Sequence, residues 1–123
     1  MGFYGKKIVA VDDSVIILKM LGKVLDKKCE LHAFSDGNRA LEFLRKKTAD
    51  LIILDIEMPG ISGFDMLTKI KQIDHLKYVP IFFLTSNSEK SNVVKAIAGG
   101  ADDYVVKPID EDILLQKIEK LFW

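Results

Sequence analysis

Leu51-Ile52-Ile53-Leu54-Asp55 is a run of four aliphatic residues that stops on a carboxylate. An unbroken apolar run of this length suits a strand covered on both faces, as in a parallel sheet, better than the alternating pattern of a half-exposed strand. Three further runs have the same form. Ile8-Val9-Ala10-Val11 leads into Asp12-Asp13, Ile81-Phe82-Phe83-Leu84 into Thr85, and Tyr104-Val105-Val106 into Lys107. Ligands of open parallel sheets bind beyond the carboxyl ends of the strands. The runs therefore bring three carboxylates, one hydroxyl and one ammonium to one end of one sheet. That set can hold a divalent cation and a phosphoryl group together.

The segments between the runs read as helices. The first spans Ser14 to about Asp26, with Ile16, Ile17, Met20, Leu21, Val24 and Leu25 at helical spacing. A second strand, Glu30 to Phe34, follows, and Asp36 offers an N-cap to a helix carrying Ala40, Leu41, Phe43 and Leu44. Pro59-Gly60 breaks the chain after the third strand. Ser62 and Asp65 then have capping-box spacing before Phe64, Leu67 and Ile70. Ser86 and Glu89 repeat that spacing before Val93, Val94, Ile97 and Ala98, and Gly99-Gly100 supplies a stop. The last helix opens on Asp110, Glu111 and Asp112, carries Lys117 and Lys120 near its end, and has Leu114, Ile118 and Leu121 as its apolar face. Both charge placements suit the helix dipole. Strands alternating with helices imply right-handed crossovers, so the expected fold is α/β, a doubly wound five-stranded parallel sheet with five helices.

With 123 residues, one domain spanning 1–123 is expected, with no output domain. Lys+Arg and Asp+Glu both number 18, so no basic nucleic-acid footprint is expected. The apolar runs are too short to span a bilayer. Met1 to Gly5 contains no signal-peptide stretch, and Lys6 stands where a myristoylation motif needs Ser or Thr. The single cysteine, Cys29, excludes an internal disulfide and fits a reducing cytosol. A cytoplasmic monomer is expected. Cys29 reads as packing at a strand start. His32 and His75 have no His or Cys partner at metal spacing and read as structural.

Asp12 and Asp13 repel each other at a strand end. A hard cation such as Mg²⁺, which prefers oxygen ligands and keeps several waters, removes the conflict; alternatively Asp13 is the N-cap of the first helix. Asp55 can ligate the metal, attack phosphorus, or serve as a turn residue before Pro59-Gly60. Thr85 can donate a hydrogen bond to a phosphoryl oxygen. Lys107 is a point-charge partner for phosphate and, without an anion, for Asp55. Pro108 keeps Lys107 out of helical geometry.

In this order and spacing, Asp12-Asp13, Asp55-Ile56-Glu57-Met58-Pro59-Gly60 with Gly63, Thr85-Ser86, and Gly100-Ala101-Asp102-Asp103-Tyr104-Val105-Val106-Lys107-Pro108 form a specific pattern. Over nearly its whole length the chain resembles the receiver domains of two-component response regulators, particularly single-domain chemotaxis-type regulators. The resemblance implies a flavodoxin-like sheet of order 2-1-3-4-5. It implies that Asp55 accepts a phosphoryl group from a sensor histidine kinase or phosphotransfer protein, or from a small acyl phosphate. It implies Mg²⁺ held by Asp13, Asp55 and the backbone carbonyl of Glu57, with Asp12 acting mainly through water. Lys107 and Thr85 would bind the phosphoryl oxygens, Thr85 and Tyr104 would form the switch, and the Lys107-Pro108 peptide would be cis. A downstream protein would bind the face of the fourth helix, fifth strand and fifth helix.

Glu57, two residues after the acceptor, can repel the phosphoryl group or the attacking water, pair with Lys107, or touch a metal-bound water. It and Asn87, two residues after Thr85, are candidates for tuning the phosphate lifetime. Three other functions compete. One is a Mg²⁺-dependent phosphohydrolase with an aspartyl nucleophile, although the chain has no room for a cap domain. Another is a flavodoxin-like cofactor binder, which Asp12-Asp13 opposes by placing negative charge where such sites need phosphate donors. The last is an interaction module independent of phosphorylation.

Overall fold

The apolar runs become adjacent strands of one parallel sheet. The computed structural model describes residues 3–86 and 99–122. Its elements are β1 (Lys7–Val11), α1 (Val15–Leu25), β2 (Glu30–Phe34), α2 (Gly37–Lys46), β3 (Leu51–Asp55), α3 (Gly63–Lys71), a 3-10 turn (Asp74–Leu76), β4 (Ile81–Thr85), β5 (Asp103–Val106) and a C-terminal helix (Glu111–Leu121). The helix expected between Ser86 and Gly99, with Asn87, lies outside the described residues.

The strand order is β2-β1-β3-β4-β5, with every pairing parallel. β3 and β4 are buried along their whole length, which is why their sequences do not alternate. The edge strand β2 is more exposed, and His32 there sits 2.7 Å from Glu30. From β1 the chain winds first to one side and later to the other. The crevice of the sheet therefore opens between β1 and β3, the location expected for a ligand.

Each face of the sheet carries its own core, and alternate residues serve each one. Val9, Val11, Ile52, Leu54 and Phe83 pack against α2 and α3 through Leu41, Leu44, Met66, Leu67 and Ile70. Ile8, Ala10, Ile53, Phe82 and Leu84 pack against α1 and the C-terminal helix through Leu21, Leu25, Leu114 and Ile118. Among the described residues, no helix is long and apolar enough to cross a membrane.

Three local expectations need correction. Ile16 is 76% exposed and Met20 37%, whereas Leu21, Val24 and Leu25 make the buried face of α1. Six apolar residues form a stripe wider than one helix-sheet contact, and periodicity alone does not say which edge is left outside. The N-cap of α1 is Ser14, whose hydroxyl accepts from Ile17 N–H at 3.4 Å, so Asp13 is free of that duty. Lys117 does not serve the helix end. It donates to Asp103 at 2.8 Å and to the Tyr104 carbonyl at 2.9 Å, tying the C-terminal helix to β5. The 3-10 turn adds an unforeseen tie: His75 Nε2–H donates to the Leu44 carbonyl at 2.7 Å, near the end of α2.

Leu21→Ala should cost about 2–5 kcal/mol of stability in urea unfolding, as for other buried leucines. Ile16→Lys should change it by less than about 0.5 kcal/mol. The reverse order would mean that α1 presents its other face to the sheet.

Candidate functional site

Val11 pairs with Leu54 across β1 and β3, so Asp12 and Asp55 leave the sheet side by side. Carboxylate oxygens of Asp12, Asp13 and Asp55 lie within 4.8 Å of one another. Asp12 is fully buried, Asp55 is nearly so, and Asp13 is exposed at the mouth. Ser14 N–H donates to Asp12 Oδ1 at 2.8 Å and fixes that carboxylate at the start of α1. Asp12 Oδ2 lies 2.8 Å from Lys107 Nζ, an ion-pair distance, but in an orientation that makes no hydrogen bond. Lys107 Nζ is also 3.3 Å from Asp55 Oδ1, which accepts from Glu57 N–H at 3.3 Å. The pairing expected between Lys107 and Asp55 is therefore shared, with Asp12 the nearer partner.

Three carboxylates face one ammonium. Burial and then the neighbouring charge of Asp12 push Asp55 up to about 7, against a smaller downward pull from Lys107. Burial alone would lower the pKa of Lys107, but Asp12 and Asp55 outweigh it and hold it above its ordinary value as an ammonium. With all groups ionised the cluster has a surplus of negative charge, which a divalent cation would offset. The donors fit a hard cation: they are all oxygens, one of them, Asp12 Oδ2, is buried without a hydrogen bond, and the mouth is open for retained waters. Asp12, Asp13 and Asp55 would hold it.

The other expected residues surround this cluster. Thr85 is buried at the end of β4, and its carbonyl accepts from Lys107 N–H at 2.7 Å, so the two leave adjacent strands together. The Lys107-Pro108 peptide is cis. Tyr104 is partly buried against the α2/α3 core, with Lys117 Nζ 5.0 Å from its ring centroid. Glu57 has an exposed side chain in the loop after β3, and the ion-pair partners of Lys107 among the described residues are Asp12 and Asp55 rather than Glu57. Cys29 is partly buried, and His32 and His75 bond elsewhere, outside the carboxylate group. Sequence reasoning missed Ser14 as the anchor of Asp12. The donor is a backbone N–H that any residue but proline supplies, so no side chain in the sequence signalled it.

The response regulator receiver domain family matches the chain over residues 8–119. The chemotaxis protein CheY of Pseudomonas aeruginosa is 30% identical over 118 residues, covering 94% of this chain and 95% of that protein. The crystal structure of the Vibrio cholerae chemotaxis protein CheY4 superposes with a TM-score of 0.90 at 31% identity, covering 95% of this chain and 98% of the other. The receiver domain of the Pseudomonas aeruginosa sensor histidine kinase PA1611, solved with a magnesium ion in its active-site cleft, shares the fold with a TM-score of 0.87 at 22% identity, covering 96% and 98% of the two chains.

Because burial raises the pKa of Asp55, the folded protein prefers its carboxyl protonated. The unfolded carboxyl ionises near about 3.9, so the destabilisation is absent below that pH and grows as pH rises toward about 7. In chelator at pH 8, Asp55→Asn should raise the melting temperature by several degrees. The gain should shrink as pH falls toward 4 and when Mg²⁺ is added. An Asn variant no more stable than the parent at pH 8 would contradict the charge balance described.

Proposed function

The chain belongs to the response regulator receiver domain family, and on that premise we propose that it is a phosphorylation-dependent signalling switch whose acceptor is Asp55. The observation that carries this reading is the convergence of Asp12, Asp13, Asp55 and Lys107 at the crevice of the sheet. An Asp55 carboxylate oxygen attacks the phosphorus of a phosphohistidine on a sensor histidine kinase or phosphotransfer protein. The O–P bond forms as the P–N bond breaks, and the imidazole leaves with the bonding electron pair and takes up a proton. Little else is required of the protein beyond in-line positioning and neutralisation of charge. Mg²⁺ held by Asp12, Asp13, Asp55 and the Glu57 carbonyl would supply that neutralisation between anionic nucleophile and anionic donor.

Lys107, already 3.3 Å from Asp55, pairs with a phosphoryl oxygen once the group arrives. The Thr85 hydroxyl binds another, and Tyr104 turns into the space that Thr85 leaves. This is a two-state element biased by one local bond. β5 and the C-terminal helix belong to the face read by a downstream protein. Glu57, two residues after the acceptor, and Asn87, two residues after Thr85 in the sequence, set how long the phosphate lasts. The protein catalyses its own phosphorylation and dephosphorylation only, and acts in the cytoplasm.

A macromolecular donor suits the surroundings. Ile16 and Met20 stand exposed on the first turns of α1, close in sequence to Asp13. Lys19, Met20, Lys23, Val24, Ile109 and Glu111 line a groove of about 400 Å³ between α1 and the start of the C-terminal helix. Exposed apolar residues interleaved with lysines on α1 offer the phosphohistidine protein a docking surface that a small acyl phosphate does not need.

Incubation with acetyl phosphate and Mg²⁺ should add one phosphoryl group to the intact mass. Asp55→Asn or chelator should abolish it, and no external phosphomonoester should turn over. Phosphorylation that survives Asp55→Asn, or steady phosphomonoester hydrolysis, would overturn the assignment. Ile16→Lys should slow transfer from a phosphohistidine protein by roughly fivefold and leave the acetyl phosphate rate unchanged; equal effects on both donors would remove α1 from docking. Glu57→Ala should change the rate of phosphate loss in a chase after donor removal, and an unaltered rate would retire its tuning role.

A further inference from the structure

Gly63 opens α3 and lies against the backbone of the acceptor. Its N–H donates to the Ile56 carbonyl at 2.9 Å, and Ile56 N–H donates to the Leu84 carbonyl of β4 at 3.0 Å. A Cβ at position 63 would overlap the Asp55 carbonyl oxygen, and would lie 2.8 Å from Ile56 Cα and 3.0 Å from the Phe83 ring. Real Cβ atoms do not approach so closely. Two of the three obstacles are backbone atoms of the acceptor residue and its successor, which cannot turn aside as a side chain can. Ile56 is itself pinned to β4, so the sheet cannot readily give way. Any side chain at 63 must lift α3 or shift the Asp55-Ile56 peptide.

Gly37, at the start of α2, is a natural contrast. A Cβ there meets Ile61 Cγ2 at 2.5 Å and Met66 Sδ at 2.9 Å. That crowding is equally tight, but its obstacles are side-chain atoms of Ile61 and Met66 rather than backbone atoms of the acceptor. The helices α2 and α3 would both feel a substitution at 37, while the acceptor backbone would not.

We propose that Gly63 is a positioning residue for the cation site, seating the first turn of α3 against the Asp55-Ile56 backbone and so setting the height of the Asp55 carboxylate and of the Glu57 loop beside Asp12 and Asp13. It touches neither the metal nor the phosphoryl group. It acts through the peptide that carries the acceptor, and it rests on the reading of that cluster as a Mg²⁺ site. Outer supports of a metal site typically contribute about 10–100-fold to affinity. The absence of a side chain at 63 is then as necessary to the site as the carboxylates.

The test is calorimetric titration of unphosphorylated protein with MgCl₂, without any phosphodonor, for the wild type, Gly63→Ala and Gly37→Ala, with urea midpoints for each. Gly63→Ala should weaken the dissociation constant by roughly tenfold or more while stoichiometry stays near one. Gly37→Ala should lose stability yet hold its dissociation constant within about twofold of wild type. A purely structural glycine would lower the binding-competent fraction and leave the constant alone; that result, or equal weakening by both substitutions, overturns the proposal. If Gly63→Ala does not fold, Phe83→Leu loosens the same seat without adding an atom. It should weaken the constant at unchanged stoichiometry, and an unchanged constant overturns the proposal. Wild-type protein that takes up no magnesium overturns the reading beneath it as well, an outcome distinct from the others.

Discussion

Everything at the working end of this molecule follows from one electrostatic imbalance: three carboxylates gathered within 4.8 Å, two of them buried, against a single ammonium. Folding does not resolve it. Burial and then the neighbouring charge of Asp12 make Asp55 resist ionisation. Lys107 lies between Asp12 and Asp55 and cannot neutralise both together with Asp13. The site is therefore built to be completed from outside, first by a divalent cation and then by a group whose transfer that cation assists. A cluster satisfied internally would be more stable and would have no chemistry to offer.

The parallel sheet makes such an imbalance possible. Its topology places the carboxyl ends of β1, β3, β4 and β5 together, so residues distant in sequence meet without any long excursion of the chain. The helices contribute at the same end, since each follows a strand and begins where the strand stops. Ser14 and Ser62 cap α1 and α3 there, and the partial positive charge of the α1 N-terminus faces the Asp12 carboxylate that Ser14 N–H holds. Two helices thus meet the site in different ways. α1 fixes a ligand by a donated hydrogen bond, and α3 fixes the acceptor backbone by close approach.

Much of this was legible in the chain. Unbroken apolar runs ending in Asp12-Asp13, Asp55, Thr85 and Lys107 announce buried parallel strands and name the residues at their ends. The caps Asp36, Ser62 and Asp110 also stand where side-chain acceptors precede helical periodicity. What stayed hidden was everything set by three-dimensional neighbours rather than by period. Ile16 and Met20 share the helical spacing of Leu21 and Leu25, and only the docking of α1 onto Ile8 and Ala10 decides which are covered. Of the acidic pair, Asp12 is buried and Asp13 exposed, which turns on the path of the loop after β1. Lys107 lies 2.8 Å from Asp12 and 3.3 Å from Asp55, although β3 stands nearer than β1 to β5 in the sheet. Gly63 stands in the sequence pattern, but the reason for it lies in the Asp55 carbonyl pressed against it.

Paramagnetic broadening by Mn²⁺, a hard divalent stand-in for magnesium, interrogates the charge imbalance most directly. At substoichiometric Mn²⁺ the amide signals of Asp12, Asp13, Asp55, Ile56, Glu57 and Lys107 should vanish first and together. Signals at the opposite end of the sheet, such as Lys7, Asp50 and Ile81, should persist. Broadening scattered over the acidic surface, or absent at the ends of β1 and β3, would contradict a single cation site at the head of the sheet.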